Sequence, residues 1–152
     1  MALDDIYKEV ILDHYKSPRN KRELPGAELQ CHANNPLCGD EITVLVHLEG
    51  DRIGDVAFQG AGCSISQSSA SMMTEAVGGR SVDDALTLAD EFRTMMAGEI
   101  EPDEDRLGDL VALKGVVKYP IRIKCAVLAW DVLQEALDGA GSASGSVPHA
   151  VG

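Results

Sequence analysis

Asn35-Pro36-Leu37-Cys38-Gly39-Asp40-Glu41 joins a polar loop to a strand, and its reading decides where the sheet begins. Proline pushes the residue before it out of the helical region, so Asn35-Pro36 marks a turn. Gly39 takes dihedrals that other residues resist, which lets the chain fold tightly enough to aim Cys38 and Asp40 at one point. From Glu41 the pattern alternates, with Ile42, Val44 and Val46 on one face and Thr43, Leu45 and His47 on the other. A second alternating run, 53–59, follows the turn Glu49-Gly50-Asp51-Arg52, and the two runs read as a β-hairpin. Residues 28–32 supply a third short strand, which carries Cys31. The expected sheet is small, three-stranded and antiparallel, and one of its faces needs helices to cover it. His47, on a strand, is expected to face solvent.

Cys-Gly-Asp before a strand is half of a metal site, and it reads equally as a turn with a reduced surface cysteine. The rest of the chain offers partners. Cys63 lies in Gly60-Ala61-Gly62-Cys63-Ser64, directly before a helical stretch. A thiol at a helix N-terminus feels the dipole, which favours the thiolate that metal binding or sulfur chemistry requires. Cys125 lies in Tyr119-Pro120-Ile121-Arg122-Ile123-Lys124-Cys125, on the inward stripe of a last helix with Ile121, Leu128 and Val132. Zinc is commonly held by four thiolate, imidazole or carboxylate ligands, and Cys38, Asp40, Cys63 and Cys125 would make four. Their spacing matches no finger or ribbon pattern, and sequence distance alone does not bring the three segments together. Cys31, beside His32, reads first as a buried structural thiol and second as a spare ligand or resolving thiol.

The chain of 152 residues has the length of one domain with its own core. Lys+Arg number 13 against 25 Asp+Glu, a net charge of −12, and the basic residues form no dense cluster. Phosphate contacts dominate nucleic-acid affinity, so nucleic acid is a poor partner, and an anionic membrane surface is equally poor. No apolar run approaches a membrane span. The opening Met1-Ala2-Leu3-Asp4-Asp5 is acidic where a signal peptide would be basic, so a cytoplasmic protein is expected. There, 4 cysteines are metal ligands or reactive thiols rather than disulfides.

Around the sheet, residues 3–16 form an amphipathic helix that ends at Ser17-Pro18. His14 falls on its apolar stripe, where a packed or rim histidine is the first reading and a ligand the second. Residues 19–27 read as a basic connection. The stretch 64–77, with serines at 64, 66, 68, 69 and 71, is a small-faced helix suited to close packing, and Met72 and Met73 read as core filling. Ser81-Val82-Asp83-Asp84 opens another helix as a capping box, with Val82, Ala85, Leu86, Ala89, Phe92 and Met96 on its buried face. The carboxylates at 99, 101, 103, 104 and 105 lack the register of a calcium loop and read as a solvated segment. A short helix is expected over 107–113, and Pro120 suits the first turn of the last helix. Trp130 belongs to the core or to an interface. From Gly139 the composition turns small and polar, so a domain of 1–138 with a disordered tail of 139–152 is expected.

Read together, Asn35-Pro36-Leu37-Cys38-Gly39-Asp40, Gly60-Ala61-Gly62-Cys63-Ser64-Ile65-Ser66 and Arg122-Ile123-Lys124-Cys125-Ala126 resemble the three cysteine motifs of the IscU/NifU-type superfamily. The resemblance extends over residues 1–138. It is closest to the SufU branch, because Lys124 stands where the scaffold proteins carry histidine and Val116-Val117-Lys118-Tyr119-Pro120 replaces their chaperone-binding motif. The long 81–106 region fits the insertion typical of SufU proteins. The resemblance implies an α+β fold with a small three-stranded antiparallel sheet and helices packed on one face. It implies one zinc per chain, on Cys38, Asp40, Cys63 and Cys125. It implies sulfur transfer from a SufS-type PLP-dependent cysteine desulfurase to the SufBCD assembly machinery. In such proteins docking is thought to bring a desulfurase histidine onto the zinc and free the thiolate that matches Cys38, and Arg122 matches an arginine implicated beside the site.

Three readings follow. In the first the chain is a zinc-dependent sulfurtransferase, with Cys38 on its Gly-hinged loop as the mobile acceptor while Cys63 and Cys125 hold the metal. In the second the same residues assemble a [2Fe–2S] cluster, against which Lys124 in the histidine's place counts. In the third the zinc is purely structural. Three thiolates and a carboxylate outweigh the charge of one zinc, so a nearby cation, Arg122 or Lys124, is expected beside the site.

Overall fold

The computed structural model describes the backbone of residues 3–35, 39–99 and 104–142, with side chains described for 8–35, 39–99 and 105–138. The elements run α1 (Leu3–Lys16), β1 (Leu29–Asn35), β2 (Asp40–Glu49), β3 (Arg52–Ala61), α2 (Ser64–Val77), α3 (Val82–Met96), α4 (Glu104–Leu107), a 3-10 segment (Gly108–Lys118) and α5 (Pro120–Ser142). The sheet has the order β1-β2-β3 with both pairings antiparallel, as the hairpin and the strand before it predict.

The period-2 pattern builds the core face in rows. Cys31, Val44 and Phe58 are register partners across the sheet, as are Leu29, Val46 and Val56. All but the half-buried Leu29 are buried. Helix α5 packs across β1 and β2, and α2 against β3. The strands run further than the apolar alternation indicates: β1 continues past His32 to Asn35, which pairs with Asp40 at the start of β2. Residues 20–22, read as a connection, add a short parallel pairing to β3. Phe58 N–H donates to the Asn20 carbonyl at 3.0 Å and Arg22 N–H to the Phe58 carbonyl at 3.1 Å. So short a pairing carries no alternation to read.

The small-faced α2 is enclosed, with Ser66, Ser68, Ser69 and Ser71 all buried. The Ser69 hydroxyl donates to the Ala126 carbonyl of α5 at 2.5 Å, a bond that only a short side chain permits. Ser81 caps α3 by accepting from Asp84 N–H at 3.1 Å. Ser81→Ala is expected to cost about 1 kcal/mol, seen as a lower urea midpoint at unchanged m-value. Phe92 of α3 stacks on Trp130 of α5 with centroids 5.1 Å apart, and both rings are fully buried.

Three expectations need correction, and the first is Ile121, read on the inward stripe with Cys125 but 68% exposed. The short helix expected over 107–113 is a four-residue α4 followed by a 3-10 segment reaching Lys118. Val111, Gly115, Val116 and Val117 have low α-helix propensity, which favours the tighter form. The last helix does not stop at Gly139 but continues through Ser142, because extending a helix costs less than starting one; residues 143–152 lie outside the described residues. The acidic segment at 100–103 lies outside them too. Among the described residues no helix is long and apolar enough to cross a membrane.

Candidate metal centre

The site forms where the sheet meets the N-terminal ends of two helices. Asp40 is in phase with Ile42, Val44 and Val46, so it points to the helix-covered face, and it is 1% exposed. The turn before it is tight: Gly39 N–H donates to the Asn35 carbonyl at 2.9 Å, with Gly39 at φ +71°. One carboxylate oxygen of Asp40 is committed. Cys63 N–H, at the N-cap of α2, donates to Asp40 Oδ1 at 2.8 Å, so a residue from the strand caps the helix. Asp40 Oδ2 lies 3.9 Å from Cys63 Sγ. Cys125, fully buried in the first turns of α5, completes a group whose donor atoms all lie within 4.8 Å of one another.

Gly62 is what lets the carboxylate in. A Cβ there would overlap Asp40 Oδ1 and press on Ser66 Oγ. In the sequence Gly62 reads only as part of the segment directly before a helix. The close approach of a strand side chain to this backbone is its actual requirement.

Arg122, on α5, is a cation that interacts with both Cys63 and Cys125. The negative charge of Cys63 and a hydrogen bond with Cys125 hold its guanidinium above the usual arginine range. Lys124 is exposed on the same helix. A cavity of about 510 Å³ opens onto Cys63, lined also by Lys8, Ile65, Val116, Tyr119 and Arg122. Cys63 is the half-exposed member of the group, while Asp40 and Cys125 are sealed behind it. Cys38 lies outside the described residues, so the four-residue set assigned from the motifs is seen as Asp40, Cys63 and Cys125. Cys31 stands apart from this group, buried on β1, where burial pushes its thiol up. His47 is half-exposed and paired with Glu28 at 3.0 Å, not with the group.

The architecture and the site define an α+β domain with an Asp–Cys–Cys donor group at one end of a three-stranded sheet. Residues 6–126 match the family described as NifU-like N-terminal domain, and the chain belongs to that family. It is 48% identical over 133 residues to the zinc-dependent sulfurtransferase SufU of Bacillus subtilis (strain 168), a match covering 88% of this chain and 90% of that one. It is 45% identical over 141 residues to the iron–sulfur cluster assembly scaffold protein IscU of Streptococcus pyogenes serotype M1, covering 93% and 88%. Among solved structures it resembles the proposed iron–sulfur cluster assembly scaffold protein for the SUF system of thermophilic Fervidobacterium islandicum AW-1. That likeness has a TM-score of 0.81 and 37% identity, covering 90% of this chain and 99% of that one.

Proposed function

We propose that the chain is a zinc-dependent sulfur carrier in iron–sulfur cluster biogenesis. It takes persulfide sulfur from a SufS-type PLP-dependent cysteine desulfurase and passes it to SufBCD-type machinery in the cytoplasm. The observation that carries this reading is the convergence of Asp40 Oδ2, Cys63 and Cys125 beside the Arg122 guanidinium, in a chain similar to a relative named for zinc-dependent sulfur transfer.

Zinc fits this donor set. Two sulfurs and one carboxylate oxygen are typical zinc donors, and Asp40 keeps Oδ2 for the purpose because Oδ1 is held by the Cys63 amide. Cys38, Asp40, Cys63 and Cys125 would hold the ion, which when bound keeps thiolates deprotonated while restraining their reactivity. The chain's own chemistry is a thiolate exchange. The Cys38 thiolate attacks the outer sulfur of the donor persulfide, and the donor cysteine leaves as thiolate with its S–S bond broken. A new S–S bond forms on Cys38, and no oxidant or reductant is consumed. Arg122 holds negative charge at the thiols through the exchange. The functional unit is assigned to residues 1–142, through the end of α5, and the remainder to a tail.

A second reading has its own support in the 45% identity to a relative named as an IscU scaffold: assembly of a [2Fe–2S] cluster on the same residues. Desulfurase turnover separates the two. Saturable stimulation by the zinc-loaded protein and none by Cys38→Ser is the expected result. Equal stimulation by Cys38→Ser would remove Cys38 from the acceptor role. No stimulation by the native protein, with iron and sulfide retained on the cysteines, would establish the scaffold instead.

A further inference from the structure

Outside the thiol group, three donor atoms from three separate elements meet beneath α1. His14 Nε2, on α1, lies 3.1 Å from Asp109 Oδ2 of the 3-10 segment and 3.8 Å from Glu75 Oε1 of α2. The three ligand atoms all lie within 4.8 Å of one another. The imidazole is 1% exposed, whereas the Glu75 and Asp109 side chains are 49% and 62% exposed. A buried nitrogen therefore sits at the floor of a mouth rimmed by two carboxylates.

The first reading of Ser71, His14 and Asp109 in line is a hydrolytic triad, and burial rules it out. Ser71 is fully buried, and its Oγ already accepts from Arg19 N–H at 2.8 Å. It is an outer partner instead. Ser71 Oγ lies 2.8 Å from His14 Nδ1, in place to accept that ring's N–H once a cation replaces the proton that Nε2 shares with Asp109 Oδ2. Ligating histidines are commonly backed this way by an oxygen acceptor on the other ring nitrogen.

Three neighbouring cations leave the site open, since Arg80 and Arg106, which line the adjoining cavity, are paired with Asp84 and Glu91. Arg19 is committed to Asp13 at 2.6 Å and reaches Glu75 only at 3.8 Å. A cavity of about 340 Å³ borders Glu75 and Asp109 and has room for the waters that complete a coordination shell.

We propose that His14, Glu75 and Asp109 form a second cation site, for a divalent first-row metal of the kind that takes mixed imidazole and carboxylate donors, such as Mn²⁺, Fe²⁺ or Co²⁺. It shares no residue with the thiol group and offers no sulfur, so the two sites sort metals by softness. By joining α1, α2 and the 3-10 segment, a bound ion clamps the first helix to the body of the domain.

The test uses the zinc-loaded full chain with Mn²⁺ as the probe, followed by electron paramagnetic resonance and thermal melting. The expected result is saturable Mn²⁺ binding with a nitrogen hyperfine coupling from His14 and a raised melting midpoint. Glu75→Gln and Asp109→Asn, on exposed carboxylates, are each expected to weaken Mn²⁺ binding by about tenfold or more, because ligand charge sets affinity at such sites. Their melting without Mn²⁺ should match the native chain, and Cys63→Ser should bind Mn²⁺ as the native chain does. Native Mn²⁺ affinity in both carboxamide variants, no nitrogen coupling, or no binding at millimolar Mn²⁺ would each overturn the site.

Discussion

Asp40→Ala is expected to lower zinc affinity by about tenfold or more and, in the metal-free protein, to cost about 1–3 kcal/mol of stability. Both losses come from one carboxylate. Oδ2 is the oxygen that faces the thiols, and Oδ1 accepts the Cys63 amide at the start of α2. Asp40 is 1% exposed, so no water replaces what alanine removes. Asp40→Asn separates the roles. Its side-chain oxygen still accepts from Cys63 N–H, and asparagine is a good helix-capping residue, but the ligand charge is gone. Asparagine should therefore keep most of the metal-free stability while losing the zinc affinity. Competition against a chromophoric chelator reads the first effect, and urea unfolding of the metal-free chain reads the second. Native zinc affinity in Asp40→Ala would remove Asp40 from the ligand set, and native metal-free stability in it would remove the cap.

Trp130→Ala is expected to be the most destabilising single change in the core, at about 3–5 kcal/mol. The indole is fully buried and stacked on Phe92, so truncation leaves a cavity and an unmatched ring. Against a typical total of about 5–15 kcal/mol, the loss would bring the chain near unfolding. Trp130→Phe should cost far less. Among the described residues the Trp130 Nε1–H has no hydrogen-bond partner, so phenylalanine keeps the stacked ring and removes a buried donor that costs about 1–3 kcal/mol when unmet. Urea midpoints compare the two, and equal losses would mean that the indole nitrogen contributes favourably after all.

The sheet was legible because it is built from local alternation: Ile42, Val44 and Val46 announce their face, and the run 53–59 announces its partner. Extending that alternation back by one step places Asp40 on the same face, so even the orientation of this donor is written in the chain. The Ser81 cap and the enclosed serines of α2 are equally local. What the sequence could not show is the meeting of Cys63 and Cys125 with Asp40, which depends on how α2 and α5 cross the sheet. The motif resemblance supplied that pairing; spacing did not. The His14 cluster stayed hidden for a related reason. Its partners sit on α2 and on the 3-10 segment, and nothing local links Glu75 or Asp109 to a histidine near the start of the chain. The 3-10 form of 108–118 was also missed, since apolar periodicity distinguishes it poorly from an α-helix over so short a stretch.

The bond from Ser69 to the Ala126 carbonyl lies one residue away from Cys125 and on the same helix as the Cys63 cap. It fixes the two helices against each other close to where their sulfurs converge. The approach of those two side chains is thus set in part by the packing of α2 on α5. The seating of α2 on α5 is therefore part of what brings the two thiols together, and a substitution at Ser69 would be felt at the donor group.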